Sequence, residues 1–183
     1  MYYKKILAAA LTVSCIGGIV PANSVQAASL KIRYSGKTRY YKGKQLHVSY
    51  ANKNLSSKYV GIQINKVNMI PYYDYLVKQG PKVKRTYSKS SGKLILKNGD
   101  DTLTAYVGKR TYYLNGVKKT FSVAPTKVKY YKTKKTIILI PANAIVKGLG
   151  LNYKYSSSSK RIYITQPVIP SDSTTQVQTQ PSG

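Results

Sequence analysis

Lysine, arginine and tyrosine residues are interleaved along several segments, and they are the residues of this chain best suited to chemistry. In strand geometry, Lys127 and Lys129 would share one face while Val128 would face the core. Ammonium and guanidinium groups hold phosphate or carboxylate groups, and tyrosine rings stack on sugar rings. These segments therefore predict binding to an anionic polymer, with a merely solvated charged face as the alternative. The candidate binding residues are Arg39, Lys42, Lys82, Lys84, Arg85, Lys127, Lys129, Tyr130, Tyr131, Lys132, Lys134 and Lys135.

The net charge of the whole chain has the same sign. The 183 residues include 31 Lys and Arg against 4 acidic residues, which gives a formal charge of +27. Such a field attracts polyanions and repels cations. For an exported protein we expect an anionic cell-wall polymer such as teichoic acid as the partner, rather than intracellular nucleic acid. A protein partner is left open, and solubility alone is the alternative use of the charge.

Catalytic groups are scarce. The single histidine, His47, and the single cysteine, Cys15, cannot form the multi-ligand centre that copper or zinc catalysis needs. Asp100 and Asp101 are adjacent in a predicted turn, and Asp74 lies near the start of a predicted helix. We therefore predict no catalytic residue, no cofactor and no enzyme activity. A Ser-Lys hydrolase is the least favoured alternative, because no Gly-x-Ser-x-Gly motif singles out a nucleophile.

Residues 1–28 have the pattern of an export signal. Two lysines precede an apolar run that extends to Val20, and Val25-Gln26-Ala27 fits a small-x-small cleavage site. The run is too short for a membrane-spanning helix, so the mature chain is expected to be secreted, with association to the cell wall, and to lack a transmembrane segment. A lipoprotein anchored through Cys15 is the less favoured alternative.

Two segments, 29–98 and 101–166, follow one plan. Each contains an Ile-Pro step, Ile70-Pro71 or Ile140-Pro141, followed by a short helical pattern and by a glycine nine residues after the proline. Each also ends in a serine-rich turn and an apolar strand. A hairpin-like segment precedes these features in each copy, at 36–43 and at 108–116, and three matches in the same order predict an internal repeat. Residues 167–183 are rich in Ser, Thr, Gln and Pro and are expected to form a disordered tail.

The helical patterns are short and one-sided. In the second segment, Ala142, Ile145, Val146 and Leu149 fall at i, i+3, i+4 and i+7 between Pro141 and Gly150. In the first segment the corresponding apolar face would comprise Tyr72, Tyr73, Leu76 and Val77. Helices of two to three turns do not persist alone, so each is expected to lie against a sheet.

Residues 136–165 resemble the copper amine oxidase N-terminal-like domain, also called a stalk domain. The shared features are a strand ending in Ile-Pro, a short helix, Leu149-Gly150, an aromatic strand, a polar turn and a closing strand. The hairpin Tyr113 to Lys118 matches as well. Two departures are Asn143 and Lys147, where the family usually has Arg and Glu, and Tyr155, where tryptophan is common.

The resemblance implies an α+β fold, with an antiparallel β-sheet curled around short helices in two ββαββ-like repeats. It also implies a secreted or cell-surface bacterial protein. It does not imply oxidase chemistry, because copper and quinone lie in a separate domain of the namesake enzymes. Tyr153 follows Asn152 but lacks the flanking threonine and acid of the quinone-forming motif, so we predict an ordinary strand residue there. The predicted function is a non-catalytic interaction module, with a purely structural spacer as the alternative.

Overall fold

The computed structural model describes residues 29–168. The predicted export signal 1–28, with Cys15, and all but the first two residues of the predicted tail 167–183 lie outside the described residues. The strands are β1 (Leu30–Tyr34), β2 (Lys37–Tyr41), β3 (His47–Tyr50), β4 (Lys53–Leu55), β5 (Ile62–Ile64), β6 (Val67–Pro71), β7 (Lys84–Tyr87), β8 (Lys93–Asn98), β9 (Asp101–Tyr106), β10 (Thr111–Leu114), β11 (Val117–Thr120), β12 (Thr126–Tyr130), β13 (Lys135–Pro141), β14 (Asn152–Ser156) and β15 (Arg161–Thr165). The helices are a π-helix (Tyr73–Gln79) and an α-helix, α1 (Ala142–Gly148).

The central six-stranded sheet has the order β2-β1-β12-β13-β6-β5. Its adjacent strands β13 and β6 are the ones that end in Ile-Pro, and Ile140 lies directly opposite Ile70 in their antiparallel register. Ile140 and Ile70 contribute to one core, whereas Leu139 and Met69 contribute to another on the opposite face. This two-sided burial is what the unbroken apolar run Ile137 to Ile140 predicts.

Two smaller sheets complete the fold. One has the order β11-β10-β9-β8-β7 and the other the order β14-β15-β3-β4. Their pairings are antiparallel except for that of β15 with β3, which is parallel. The described chain is thus mostly antiparallel sheet, with one sheet curled into a half-barrel and two short helices, which confirms the coarse α+β prediction.

The larger hydrophobic core draws side chains from both predicted segments. Leu94 and Leu96 of β8 contribute to it together with Ile162 and Ile164 of β15. Tyr112 and Phe121 stack there with their ring centroids 3.9 Å apart. Because these residues come from distant parts of the sequence, neither segment completes this core by itself.

Helix α1 buries the face that the sequence predicts. Ala142, Ile145, Val146 and Leu149 are all fully buried in the larger core. The backbone then turns at Gly150, which has a positive φ of 70°. Asn98 donates a side-chain hydrogen bond of 2.8 Å to the carbonyl oxygen of Leu149, which ties the helix end to the β8–β9 turn.

The first helix differs from its prediction. Tyr75 and Leu76 are buried, whereas Tyr73, expected on the apolar face, is 45% exposed. The reason is the π-helical winding, in which Gly80 N donates to the carbonyl oxygen of Tyr75, five residues earlier. A wider turn rotates successive side chains by less than the 100° of an α-helix, so the α-helical spacing names the wrong residue.

Candidate anion-binding face

One side of strands β1, β2 and β12 presents cations and tyrosines together. Side chains alternate along each strand, so Ile32 and Val128 point into a core while their neighbours point away from it. Arg33 pairs in register with Lys129, and Lys31 pairs with Tyr40. We call Lys31, Arg33, Tyr40, Lys129 and Tyr131 the basic face.

Cation–π contacts organise the basic face. The Lys31 ammonium lies 5.1 Å from the centroid of Tyr131 and 5.5 Å from that of Tyr40. The Lys129 ammonium lies 5.4 Å from the same Tyr131 ring. Contacts of this kind contribute about 0.5–1 kcal/mol each at exposed sites. They hold the ammonium groups over the rings and leave their remaining hydrogens available to an anion.

Tyr131 lies among the cations of the basic face, and its pKa is shifted. A hydrogen bond of 2.9 Å joins its hydroxyl to that of Thr38. This bond, followed by the nearby charges of Lys129, Arg33 and Lys31, lowers the pKa of Tyr131 below that of an ordinary tyrosine. Of these causes, the three nearby cations would also attract another anion, whereas the bond to Thr38 acts on Tyr131 alone.

The acidic residues of the described chain lie away from the basic face. Asp74 is in the first turn of the π-helix and accepts a hydrogen bond from Ser57. Asp100 precedes β9 in the tight turn after β8, and Asp101 accepts a bond of 3.0 Å from Asn115. Residues 29–168 contain these three aspartates and no glutamate, so the cations of the basic face have no carboxylate on their own strands.

Strand β12 confirms part of the predicted alternation and corrects another part. Val128 is buried, and Lys127 and Lys129 point to the opposite side, as predicted. Tyr130 is a predicted binding residue, but it is only 2% exposed and belongs to the smaller core. Its hydroxyl donates to the carbonyl oxygen of Val60 at 2.6 Å. The same period of two that exposes Lys129 sends Tyr130 inward.

The other predicted binding residues are spread over the molecule. Lys132, Lys134 and Lys135 surround the β12–β13 turn. Arg39 lies on the opposite face of β2, where its guanidinium stacks 4.3 Å from the centroid of Tyr34, and Lys42 follows that strand.

The remaining three predicted residues lie on another sheet. Lys84 and Arg85 belong to β7, an edge strand of the five-stranded sheet, and Lys82 precedes it. The guanidinium of Arg85 lies 4.7 Å from the centroid of Tyr73. Of the twelve predicted residues, Lys129 and Tyr131 are therefore the two that the structure brings into the basic face.

Lys31 and Arg33 are functional candidates that sequence reasoning missed. Their alternation with Ile32 predicts a strand, and β1 is that strand. Its neighbour β12 lies nearly a hundred residues later in the chain. The sequence therefore predicts strand β1, which carries Lys31 and Arg33. It does not predict that β12 lies beside β1, because no local pattern indicates such a pairing.

The comparison with family models decides the family. Residues 50–164, more than half of the chain, match the model described as copper amine oxidase N-terminal domain. The chain belongs to this family. No curated protein and no solved structure matches the chain. The copper amine oxidase N-terminal domain is a non-catalytic stalk module, which agrees with the resemblance carried by residues 136–165.

The described residues of this family member do not fit copper. Copper sites in proteins are built from several imidazole, thiolate or carboxylate ligands. Between residues 29 and 168 no group of three or more His, Cys, Asp or Glu side chains comes together. His47, the one histidine, is an exposed residue of β3, as the sequence predicts for an ordinary strand residue.

Several serines within residues 29–168 form hydrogen bonds with partners other than a lysine side chain. The hydroxyl of Ser49 donates to Asn54, that of Ser57 to Asp74, and those of the serine-rich turns bond to backbone amides and other serines.

None of the helices in residues 29–168 has the length and hydrophobicity needed to cross a bilayer.

Proposed function

We propose that this copper amine oxidase N-terminal domain protein is an exported, non-catalytic interaction module of the cell envelope. Its basic face would hold an anionic wall polymer such as teichoic acid. The proposal on location follows from the export pattern in residues 1–28, which precedes the described part of the chain. The proposal on binding rests on the basic face.

One observation carries the binding proposal. Lys31, Arg33 and Lys129 project from adjacent strands with Tyr131 between them, and no aspartate lies on those strands. Holding like charges side by side raises the free energy of the empty face, and an anion relieves that repulsion. The tyrosine rings add surfaces on which sugar or polyol units can stack.

Retention on isolated Gram-positive cell walls tests the proposal. Walls are prepared with and without their teichoic acid, and the purified protein is applied at low and at high salt. We expect retention only with teichoic acid and only at low salt, because exposed charges are screened within about 10 Å at 0.1 M salt. Retention on stripped walls would contradict teichoic acid as the partner, and retention that survives high salt would contradict an electrostatic mechanism.

Variants then locate the binding surface. Lys31→Gln, Arg33→Gln and Lys129→Gln combined remove three charges from the basic face and should weaken wall binding about tenfold or more, equivalent to roughly 1.4 kcal/mol. The matched control replaces three exposed lysines of other strands with glutamine and removes the same charge. It should change binding by less than about threefold. The control residues are Lys53, Lys97 and Lys154.

The second candidate is a structural spacer, in which the charge maintains solubility only. The pairing of β15, the last described strand, with β3 favours this role, because it joins the second segment to the first. A spacer would show no retention on walls at any salt concentration while folding normally. The same experiment therefore separates the two proposals.

A further inference from the structure

A cleft of about 660 Å³ extends the basic face toward the five-stranded sheet. We call it the basic cleft and define it by six of its lining residues: Arg33, Lys89, Ser90, Ser91, Lys127 and Lys129. Arg33 and Lys129 belong to both surfaces, so the cleft and the face are continuous. Lys89, Ser90 and Ser91 come from the β7–β8 turn, far from β1 and β12 in sequence.

The charge of the basic cleft is one-sided. Four of its lining residues are cationic, and none of the residues that line it, all within 29–168, is acidic. Arg33 and Lys129 are direct cross-strand partners, and Lys127 shares their side of the sheet. Like charges directly opposite one another destabilise a sheet pair. An anion bound among them would remove that penalty.

Hydrogen bonds join the walls of the basic cleft. Val107 N donates to the carbonyl oxygen of Gly92 at 3.0 Å, which attaches the β7–β8 turn to the end of β9. Gly108 N donates to the carbonyl oxygen of Pro125 at 2.7 Å, which attaches that end to the start of β12. The serine turn and the lysines of β12 are therefore held in a fixed relation before any ligand arrives, which lowers the entropy that binding would cost.

The serine turn adds neutral donors to the cations. The hydroxyl of Ser88 joins that of Ser90 at 3.1 Å and accepts from Ser91 N at 3.4 Å. Ser90 and Ser91 are exposed and line the cleft beside Lys89. Hydroxyl, ammonium and guanidinium donors approaching from different walls suit the tetrahedral oxygens of a phosphate group better than the two coplanar oxygens of a carboxylate.

From these observations we infer that the basic cleft is a phosphate subsite, which takes one phosphate group of a linear phosphate polymer while neighbouring units lie on the basic face. The inference rests on the proposed function and adds to it the class of anion and its place. A polymer engages the cleft and the face together, whereas a free phosphate ion engages the cleft alone. The polymer should therefore bind much more tightly than the free ion.

Three probes test the subsite with the full chain: inorganic polyphosphate, poly-L-glutamate with the same number of charges, and inorganic phosphate. We expect polyphosphate to bind at least about tenfold more tightly than polyglutamate, and inorganic phosphate to compete only at millimolar concentration. In NMR titrations, polyphosphate should shift the backbone amides of Ser90, Ser91 and Arg33 most strongly. Equal affinity for the two polymers, or phosphate binding as tight as the polymer, would overturn the inference.

A matched pair of variants separates this inference from the proposed function. Lys89→Gln with Lys127→Gln should weaken polyphosphate binding about tenfold, whereas Lys97→Gln with Lys154→Gln, which removes the same charge from other strands, should weaken it less than about threefold. Equal losses of polyphosphate affinity in the two double variants would mean that the protein binds anions through its overall charge and that the basic cleft is not a phosphate subsite. Failure of the unaltered protein to bind either polymer would remove both proposals.

Discussion

Two buried tyrosines couple the stability of the protein to alkaline pH. Burial, followed by the charge of Asp74, raises the pKa of Tyr75 to about 12. Burial also raises the pKa of Tyr130. In the unfolded chain a tyrosine ionises near pH 10. The unfolded state therefore loses these protons first as pH rises. Stability contributed by the protonated hydroxyls is complete below about pH 10 and is lost as pH rises through the folded pKa.

The variant Tyr75→Phe tests this coupling. It has no hydroxyl to ionise, so between pH 9 and pH 12 it should lose less stability than the unaltered protein, by on the order of 2 kcal/mol. Urea unfolding followed by circular dichroism at several pH values measures the difference. Tyr40→Phe, at a residue that is 59% exposed, is the control and should follow the unaltered protein. Parallel curves for Tyr75→Phe and the unaltered protein would contradict the assignment.

The sequence predicts which side of a strand a residue occupies, and less about what surrounds it. The period of two places Lys127 and Lys129 correctly and, applied one residue further, places Tyr130 inside. Tyr131, two residues after Lys129, falls on the same outward side as Lys129. The partners that make a charged residue part of a site, such as Arg33 opposite Lys129 or Lys89 across the basic cleft, come from other strands. They require the fold.

At the scale of elements, the Asn115-Gly116 turn joins β10 to β11 and also reaches β9. The side-chain oxygen of Asn115 accepts from Thr102 N at 2.7 Å, and its amide donates to Asp101 at 3.0 Å. Asn115 and Gly116 have φ of 50° and 81°, as the hairpin signal Asn-Gly predicts. The sequence predicts the turn, but not that the side chain of Asn115 also forms hydrogen bonds with β9.

Replacement of Asn115 by glycine keeps the left-handed backbone and removes both side-chain bonds. We expect a loss of about 1–2 kcal/mol in the free energy of unfolding beyond the general cost of a glycine. Asn65→Gly is the matched control. Asn65 and Lys66 form the equivalent tight turn between β5 and β6, with φ of 48° and 64°. Urea unfolding of the two variants gives the comparison, and equal losses would show that the two bonds of Asn115 contribute nothing.

The helices illustrate what propensity and spacing can decide. Ala142 to Leu149 has a regular α-helical spacing and forms the expected face. Tyr72 to Gly80 has a similar spacing but winds as a π-helix, with Gly80 N bonded to the carbonyl oxygen of Tyr75. A Cβ at Gly80 would overlap that carbonyl oxygen, so the end of this helix suits glycine. The spacing of the apolar residues does not distinguish the two windings, because each can bury one side of a short helix.

At the scale of the whole molecule, the shared core predicts a single unfolding transition. Ile70 and Ile140 are fully buried, face each other across the β6–β13 pair and belong to the larger core. Ile70→Ala or Ile140→Ala should each cost about 2–5 kcal/mol and lower the urea midpoint in both segments together. NMR signals from 29–98 and from 101–166 report the two midpoints separately. Val117→Ala, at an exposed residue, is the control, and two distinct midpoints would contradict a shared core.

We propose that the two segments are copies related by an approximate twofold axis between Ile70 and Ile140. Ile70 and Ile140 lie opposite each other there, and Pro71 and Pro141 lie opposite Leu139 and Met69, which supports the proposal. The serine turns also share a pattern: Ser91 N donates to Ser88, and Ser159 N donates to Ser156, both at 3.4 Å. Many of the strands and the second helix could be predicted from the sequence, whereas the repeat stays a prediction. The order of the strands could not, because pairs such as β1–β12 and β15–β3 join residues far apart in the chain.

The parallel pairing of β15 with β3 has a mechanical consequence. Tension on the chain before β3 and after β15 pulls the two strands from opposite ends, because they run in the same direction. The four registered pairs, from Arg161 opposite His47 to Ile164 opposite Tyr50, then bear the load in shear at the same time. An antiparallel pair pulled in this way would open one bond after another, like a zip. The β3–β15 pair would therefore resist tension applied directly to its two strands more strongly than an antiparallel pair of the same length.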